Sequence, residues 1–182
     1  MRQRTDRRTS RPADRLQSGK HGSSLYTAEE RRRRDASRWT LVQGVLAPLQ
    51  FLVFLISLAL VLRFLATGEG FAAATASIVI KTFVLYTIMA TGSIWEKEVF
   101  GVYLFARPFF WEDVFSIAVL ALHTAYLVAL LTASLAPVQQ MLLALAAYAA
   151  YLINAGQFLW KLRLARRQAG GALPAAGAGA RA

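Results

Sequence analysis

Four carboxyl-bearing residues stand in two short aromatic and acidic runs. One is Trp95-Glu96-Lys97-Glu98-Val99-Phe100-Gly101, and the other, one loop later, is Phe110-Trp111-Glu112-Asp113-Val114-Phe115. Carboxyl groups gathered among aromatic side chains suit general acid–base chemistry: an apolar setting or a neighbouring carboxylate keeps one protonated while another accepts a proton. Glu112 and Asp113 also have an ordinary explanation, because acids in the first turn of a helix are stabilised by its dipole. Glu96 and Glu98 fall at a helix carboxyl end, where negative charge is disfavoured, so Glu96 is the more informative residue. The loop between the runs carries Phe100, Tyr103, Phe105, Phe109, Phe110 and Trp111. These form either an interfacial aromatic belt or the lining for a flat apolar ligand.

A second set of candidates is polar residues embedded in long apolar stretches: Gln50, Lys81, His123, Asn154 and Gln157. The stretches that must position them are four, at 41–65, 72–95, 111–131 and 138–160. Each is long enough to cross a hydrocarbon layer of roughly 30 Å, which takes about 20 mainly apolar residues. Lys81 lies roughly 13 Å inside the second stretch and His123 roughly 18 Å inside the third from the opposite face, so their depths nearly coincide. An ionisable residue at that depth is a functional candidate by default, because leaving it unpaired there is costly. The alternative for all five is interhelical hydrogen bonding that holds a bundle together. Glu112 and His123 are about three helical turns apart and share a face with Ser116 and Val119, but are separated by roughly 16 Å along the axis. A small substrate cannot touch both, whereas a large planar one can.

Composition agrees with a membrane bundle. Apolar residues make up 56% of the 182, yet the net charge is +11, so the two kinds must be segregated. Residues 1–40 hold 12 of the 21 Lys and Arg and five of the ten acids. The turns at Thr67-Gly68-Glu69-Gly70 and 134–137 have no base, whereas Arg38, Lys97, Arg107, Lys161 and Arg163 flank the opposite ends. By the positive-inside rule both termini and the 96–110 loop are cytoplasmic. Arg63, the one base near the other face, can snorkel to the interface. The expected fold is therefore an all-α polytopic membrane protein with four transmembrane helices, amino and carboxyl termini inside. Residues 1–24 read as a disordered basic extension, 25–167 as the transmembrane domain and 168–182 as a disordered Ala/Gly-rich tail. The run 28–34 reads either as a solvated charge run that sets topology or as a short basic helix on anionic lipid. No cleavable signal sequence is expected.

Several classes are excluded. There is no cysteine, hence no thiolate nucleophile, disulfide or Cys-ligated metal. No dinucleotide fingerprint or phosphate loop is present. The Arg-rich arm has no interleaved aromatics and abuts a span, so nucleic acid is not an expected partner.

The chain resembles the 2-vinyl bacteriochlorophyllide hydratase family, also called chlorophyllide 3-vinyl hydratases. The resemblance is carried by Leu25-Tyr26-Thr27-Ala28-Glu29-Glu30 with the arginines after it, Trp39-Thr40-Leu41-Val42-Gln43-Gly44-Val45-Leu46-Ala47-Pro48-Leu49-Gln50-Phe51, Ile94-Trp95-Glu96-Lys97, Tyr103-Leu104-Phe105-Ala106, Phe109-Phe110-Trp111-Glu112-Asp113, Leu122-His123-Thr124 and Asn154-Ala155-Gly156-Gln157-Phe158-Leu159-Trp160-Lys161. It covers roughly residues 25–167. It implies a hydro-lyase that converts the vinyl group of a magnesium chlorin to 1-hydroxyethyl in bacteriochlorophyll synthesis, in the bacterial inner or intracytoplasmic photosynthetic membrane. Other pigment-pathway enzymes are the associates it suggests. The magnesium belongs to the substrate, and no cofactor or protein-bound metal is expected. Catalysis would fall to Glu96, Glu98, Glu112 and Asp113. Substrate contacts would come from Trp95, Trp111, Asn154, Gln157 and His123, the last as an axial contact to the magnesium, directly or through water. Lys81, Lys97 or Arg107 would meet the propionate carboxylate. The rival readings are a non-catalytic chlorin-binding or pigment-assembly protein and a small ion transporter, and four spans without broken-helix signals speak against the transporter.

Overall fold

The computed structural model describes residues 25–170, with side chains to 164. Five helices follow in order: α1 Ala28–Ala36, α2 Arg38–Thr67, α3 Phe71–Phe100, α4 Phe110–Leu131 and α5 Pro137–Gly170. Four of them, α2 to α5, are long and apolar enough to cross a membrane. The expected all-α, four-span architecture is what the chain adopts, and α5 runs three residues beyond the expected boundary at 167. The 1–24 extension and residues 171–182 of the tail lie outside the described residues.

Local chemistry sets the ends. Thr27 caps α1 through a capping box with Glu30: Thr27 Oγ1 accepts from the Glu30 amide at 3.2 Å while Glu30 Oε2 accepts from the Thr27 amide at 2.7 Å. The basic run at 31–34 is therefore helical, with exposed ion pairs of Arg32 and Arg33 to Glu29. Gly68 ends α2 at φ 75° and Gly101 ends α3 at φ 85°, left-handed positions that glycine takes without strain. At the Gly68 end Arg63 stands 3.8 Å from Glu69, both well exposed.

α2 packs along α3 and α4 along α5, and the two hairpins close into a bundle through α2 with α5 and α3 with α4. Its core runs through Phe54, Val61, Ile78, Leu85, Val119, Tyr126, Met141 and Tyr148. Leu41, Phe83, Val128 and Leu131 face outward, as lipid-facing residues of a membrane bundle do. A smaller apolar cap closes the end where α3 finishes and α4 begins: Tyr26, Val99 and Phe109, with Trp95, Phe100 and Phe158 packed on them. Tyr26 stacks on Phe100 at 5.8 Å and Phe109 on Phe158 at 6.0 Å. The aromatic set thus splits. Phe100 and Phe109 build this cap, while Tyr103, Phe105, Phe110 and Trp111 stay exposed.

Candidate active site at the acid end

Three carboxyl groups come together under the 101–109 loop. Glu96 on the last turn of α3 and Glu112 and Asp113 on the first turn of α4 are each no more than 5% exposed. The Glu96 and Asp113 carboxyls are close neighbours. Two adjoining carboxyls can bond to each other only with a proton on one of them, since ionised carboxylates only accept. The loop backbone supplies further donors. The Phe105 amide donates to Asp113 Oδ2 at 2.7 Å and the next amide, of Ala106, donates to Glu96 Oε2 at 3.2 Å. Phe105 sits at φ 63°, a costly conformation for a bulky residue, and that turn aims two successive N–H groups at the carboxyl pair.

Glu112 is held differently. Lys161 of α5 places Nζ 2.6 Å from Glu112 Oε2 and also donates to the Pro108 carbonyl, which ties α5 to the loop. Lys161 was legible only as a topology signal, although Asn154, Gln157 and Lys161 fall at i, i+3 and i+7 on one helical face, a spacing that points to it. Glu112 and Lys161 open onto a groove of about 570 Å³ between α4 and α5, lined also by Trp111, Gly156, Gln157, Trp160 and Leu164. Trp111 and Trp160 are 66% and 68% exposed and form its walls. A side chain added at Gly156 would meet nothing within 4 Å, so the missing Cβ widens the groove.

The remaining candidates distribute as follows. Glu98 does not join the cluster: it is exposed and accepts from Ser37 Oγ at 2.7 Å, at the start of α2. The reason is helical phase, since residues two apart point away from one another. The expected rim of four carboxylates is thus a cluster of three. Trp95 donates from Nε1 to Thr40 Oγ1 at 2.9 Å and packs edge-on against Phe100 and Phe109, a cap residue rather than a groove wall. Arg107 is exposed on the loop, and Lys97 donates to the Gly101 carbonyl at 2.8 Å. Asn154 donates to Ser116 Oγ at 2.8 Å, joining α5 to α4.

Lys81 and His123 do meet, but with each other. Lys81 Nζ is 3.2 Å from His123 Nε2, and His123 Nδ1 is 2.8 Å from the Val119 carbonyl. A carbonyl oxygen only accepts, so Nδ1 carries the proton and Nε2 accepts from Lys81. Both side chains are fully enclosed, and Lys81 Nζ lies 4.2 Å above the centre of the Tyr151 ring. In this arrangement His123 has no ring nitrogen open to a substrate magnesium, and Lys81 has no route to a propionate. Among the described residues no three or more His, Asp or Glu side chains are arranged so that they could hold one metal ion.

The fold is a helical bundle with four membrane-spanning helices, and its acid end sets a buried carboxyl pair beside an ion-paired carboxylate and an aromatic groove. The family model for 2-vinyl bacteriochlorophyllide hydratase matches residues 26–164, and the chain belongs to that family. It is 75% identical to the 2-vinyl bacteriochlorophyllide hydratase of Cereibacter sphaeroides over 78% of this chain and 88% of the relative. It is 70% identical to the protein of the same name from Rhodobacter capsulatus over 80% of this chain and 85% of the relative. No solved structure matches it.

Proposed function

We propose that this chain is a membrane hydro-lyase that adds water across the 3-vinyl group of chlorophyllide a or a bacteriochlorophyllide-type intermediate, leaving a 1-hydroxyethyl group. The observation that carries the reading is the difference between neighbouring carboxyls at the acid end: Glu96 and Asp113 each accept from a loop amide, while Glu112 ion-pairs with Lys161 at the edge of the groove. The names of the two relatives support the same reaction.

Hydrating a vinyl group on a conjugated ring begins with protonation of the terminal carbon. The cation then forms at the carbon attached to the ring, which delocalises it. Glu96 is the acid in this reading, and Asp113 with the Phe105 and Ala106 amides positions its proton and stabilises the carboxylate left behind. Water attacks the cationic carbon and Glu112 takes its proton, after which that proton returns to the neighbouring Glu96 and Asp113 pair. One water is consumed, one C–H and one C–O bond form, and no electrons are exchanged, so no redox cofactor is called for. Trp111 and Trp160 offer apolar faces to the macrocycle. Arg107, exposed on the loop, is the better geometric match among the basic candidates for the propionate.

The basic flank at the acid end supports an orientation with that end, and both termini, in the cytoplasm of a bacterial inner membrane. The test is to express the chain in membranes of a host that makes chlorophyllide but does not hydrate it, then separate the pigments by chromatography. A 1-hydroxyethyl product is expected. Retention of unaltered 3-vinyl pigment on the protein would instead make it a chlorin carrier.

A further inference from the structure

Two buried oxygen atoms on α5 have no partner among the described residues: Asn154 Oδ1 and Gln157 Oε1. Sealed amide oxygens are nearly always hydrogen-bonded, and where the protein supplies no donor a bound water does. Their placement is specific. Asn154, Gln157 and Lys161 lie along one face of α5, and across from them Glu112 and Ser116 lie one turn apart on α4. Asn154 Nδ2 donates to Ser116 Oγ at 2.8 Å, which fixes the amide and leaves the Ser116 hydroxyl proton free to donate. Ser116 is itself 5% exposed. Gln157 and Glu112 both line the groove, so this polar strip connects the bundle interior to the place where substrate would sit.

We propose that Ser116, Asn154 and Gln157 form an internal water site behind Glu112, and that the water held there is the one that adds to the substrate. The second half rests on the hydratase reading and the first does not. The chemistry of the site selects water. Two amide oxygens and the Glu112 carboxylate accept while the Ser116 hydroxyl can donate, a mixture that water meets with its two protons and its lone pairs. Lys161 already supplies the positive charge at this face, which makes a neutral donor the fitting occupant. A water whose hydrogens are drawn to these acceptors presents a lone pair away from them, toward the groove. The same contacts deliver its proton to Glu112 once the C–O bond forms. A fixed approach also means attack from one side of the vinyl plane, and hence one epimer of the carbinol.

The test has two arms and uses the full chain in membrane vesicles. Because the chain contains no cysteine, single cysteines report local hydration cleanly. Asn154→Cys is expected to react with 2-aminoethyl methanethiosulfonate at least tenfold faster than Ala147→Cys, a buried position on the same helix. Equal rates at the two positions would overturn the water site whatever the protein catalyses. In the second arm Asn154→Leu and Gln157→Leu are compared with the unaltered chain for chlorophyllide affinity, turnover and the epimer ratio of the hydroxyethyl product. Turnover should fall at least tenfold in both, with affinity within twofold for Asn154→Leu, and the product should become a mixture of epimers. Retained turnover with a single epimer would overturn the role in catalysis. If the unaltered chain yields no hydroxyethyl product, the hydratase reading fails and the catalytic half falls with it, while the cysteine arm still decides whether the site holds water.

Discussion

Lys81 Nζ and His123 Nε2 lie 3.2 Å apart in the middle of the bundle, each fully enclosed and each the other's side-chain partner. The pair joins α3 to α4 where those helices otherwise meet through few residues, and Tyr148 and Tyr151 of α5 close over it. In this arrangement each side chain satisfies the other's polar group inside the bundle. Replacing one partner strands the other, at a cost of about 1–3 kcal/mol for a buried unsatisfied group. His123→Leu and Lys81→Met should therefore each lower the unfolding temperature in detergent by several degrees, and the double variant should recover most of the loss. Chlorophyllide affinity should stay within about twofold in the folded variants. A large loss of affinity at unchanged stability would return His123 to the substrate.

Glu96→Gln and Glu112→Gln address the chemistry directly. An amide keeps size and polarity but can neither give a strongly acidic proton nor take one from water, and general acid–base groups are typically worth about 10²–10⁴-fold. Each variant should lose turnover in that range while still binding chlorophyllide, followed by absorbance. Near-normal turnover in both would reduce the cluster to interfacial charge.

Lys161 acts through Glu112, so its variants should separate binding from chemistry. Lys161→Met removes the ion pair and the tie to Pro108, and misplacement of a catalytic group on this scale costs about 10²-fold in turnover. Lys161→Arg can still meet the carboxylate and should restore part of that loss, whereas a purely structural lysine would show parallel changes in stability and none in the ratio of kcat to KM.

Gly156 offers a test that unfolding cannot mimic. Leucine there improves helix propensity by up to about 0.8 kcal/mol, and its Cβ meets no atom within 4 Å, yet it projects into the groove. Gly156→Leu should be at least as stable as the unaltered chain and bind chlorophyllide at least tenfold more weakly. Unchanged affinity would place the substrate elsewhere.

Orientation follows from the basic residues, and reporter fusions check it. Fusions at Gly68 and Ala136 should report the periplasmic side, and fusions at Tyr103 and Gln168 the cytoplasmic side. A cytoplasmic signal at Gly68 would remove the acid end from the cytoplasm.

Much of this protein is legible in its sequence because the governing forces are local or one-dimensional. A run of about 20 apolar residues must become a helix in a bilayer, whose interior offers no other partner for the backbone. The four spans, the glycine-bearing turns at Gly68 and Gly101 and the helix opened by Thr27 and Glu30 all follow from residues near one another in the chain. The separation of Glu98 from Glu96 was available too, since helical phase alone turns residues two apart away from each other.

What only the tertiary structure decided is which side chains find each other across helices. Matched depth told that Lys81 and His123 lie in one layer, but not that they face one another rather than a substrate. That depends on how α3 and α4 are rotated about their axes. Lys161 reaches Glu112 because α5 packs on α4 with that face inward, and Glu96 and Asp113 sit side by side because the loop turns at Phe105 and aims one amide at each of them. Hydropathy fixes where a helix lies along the membrane normal. Its rotation, and the path of the loop that joins it to the next, are set by the packing of all four helices together, through contacts between residues far apart in the chain.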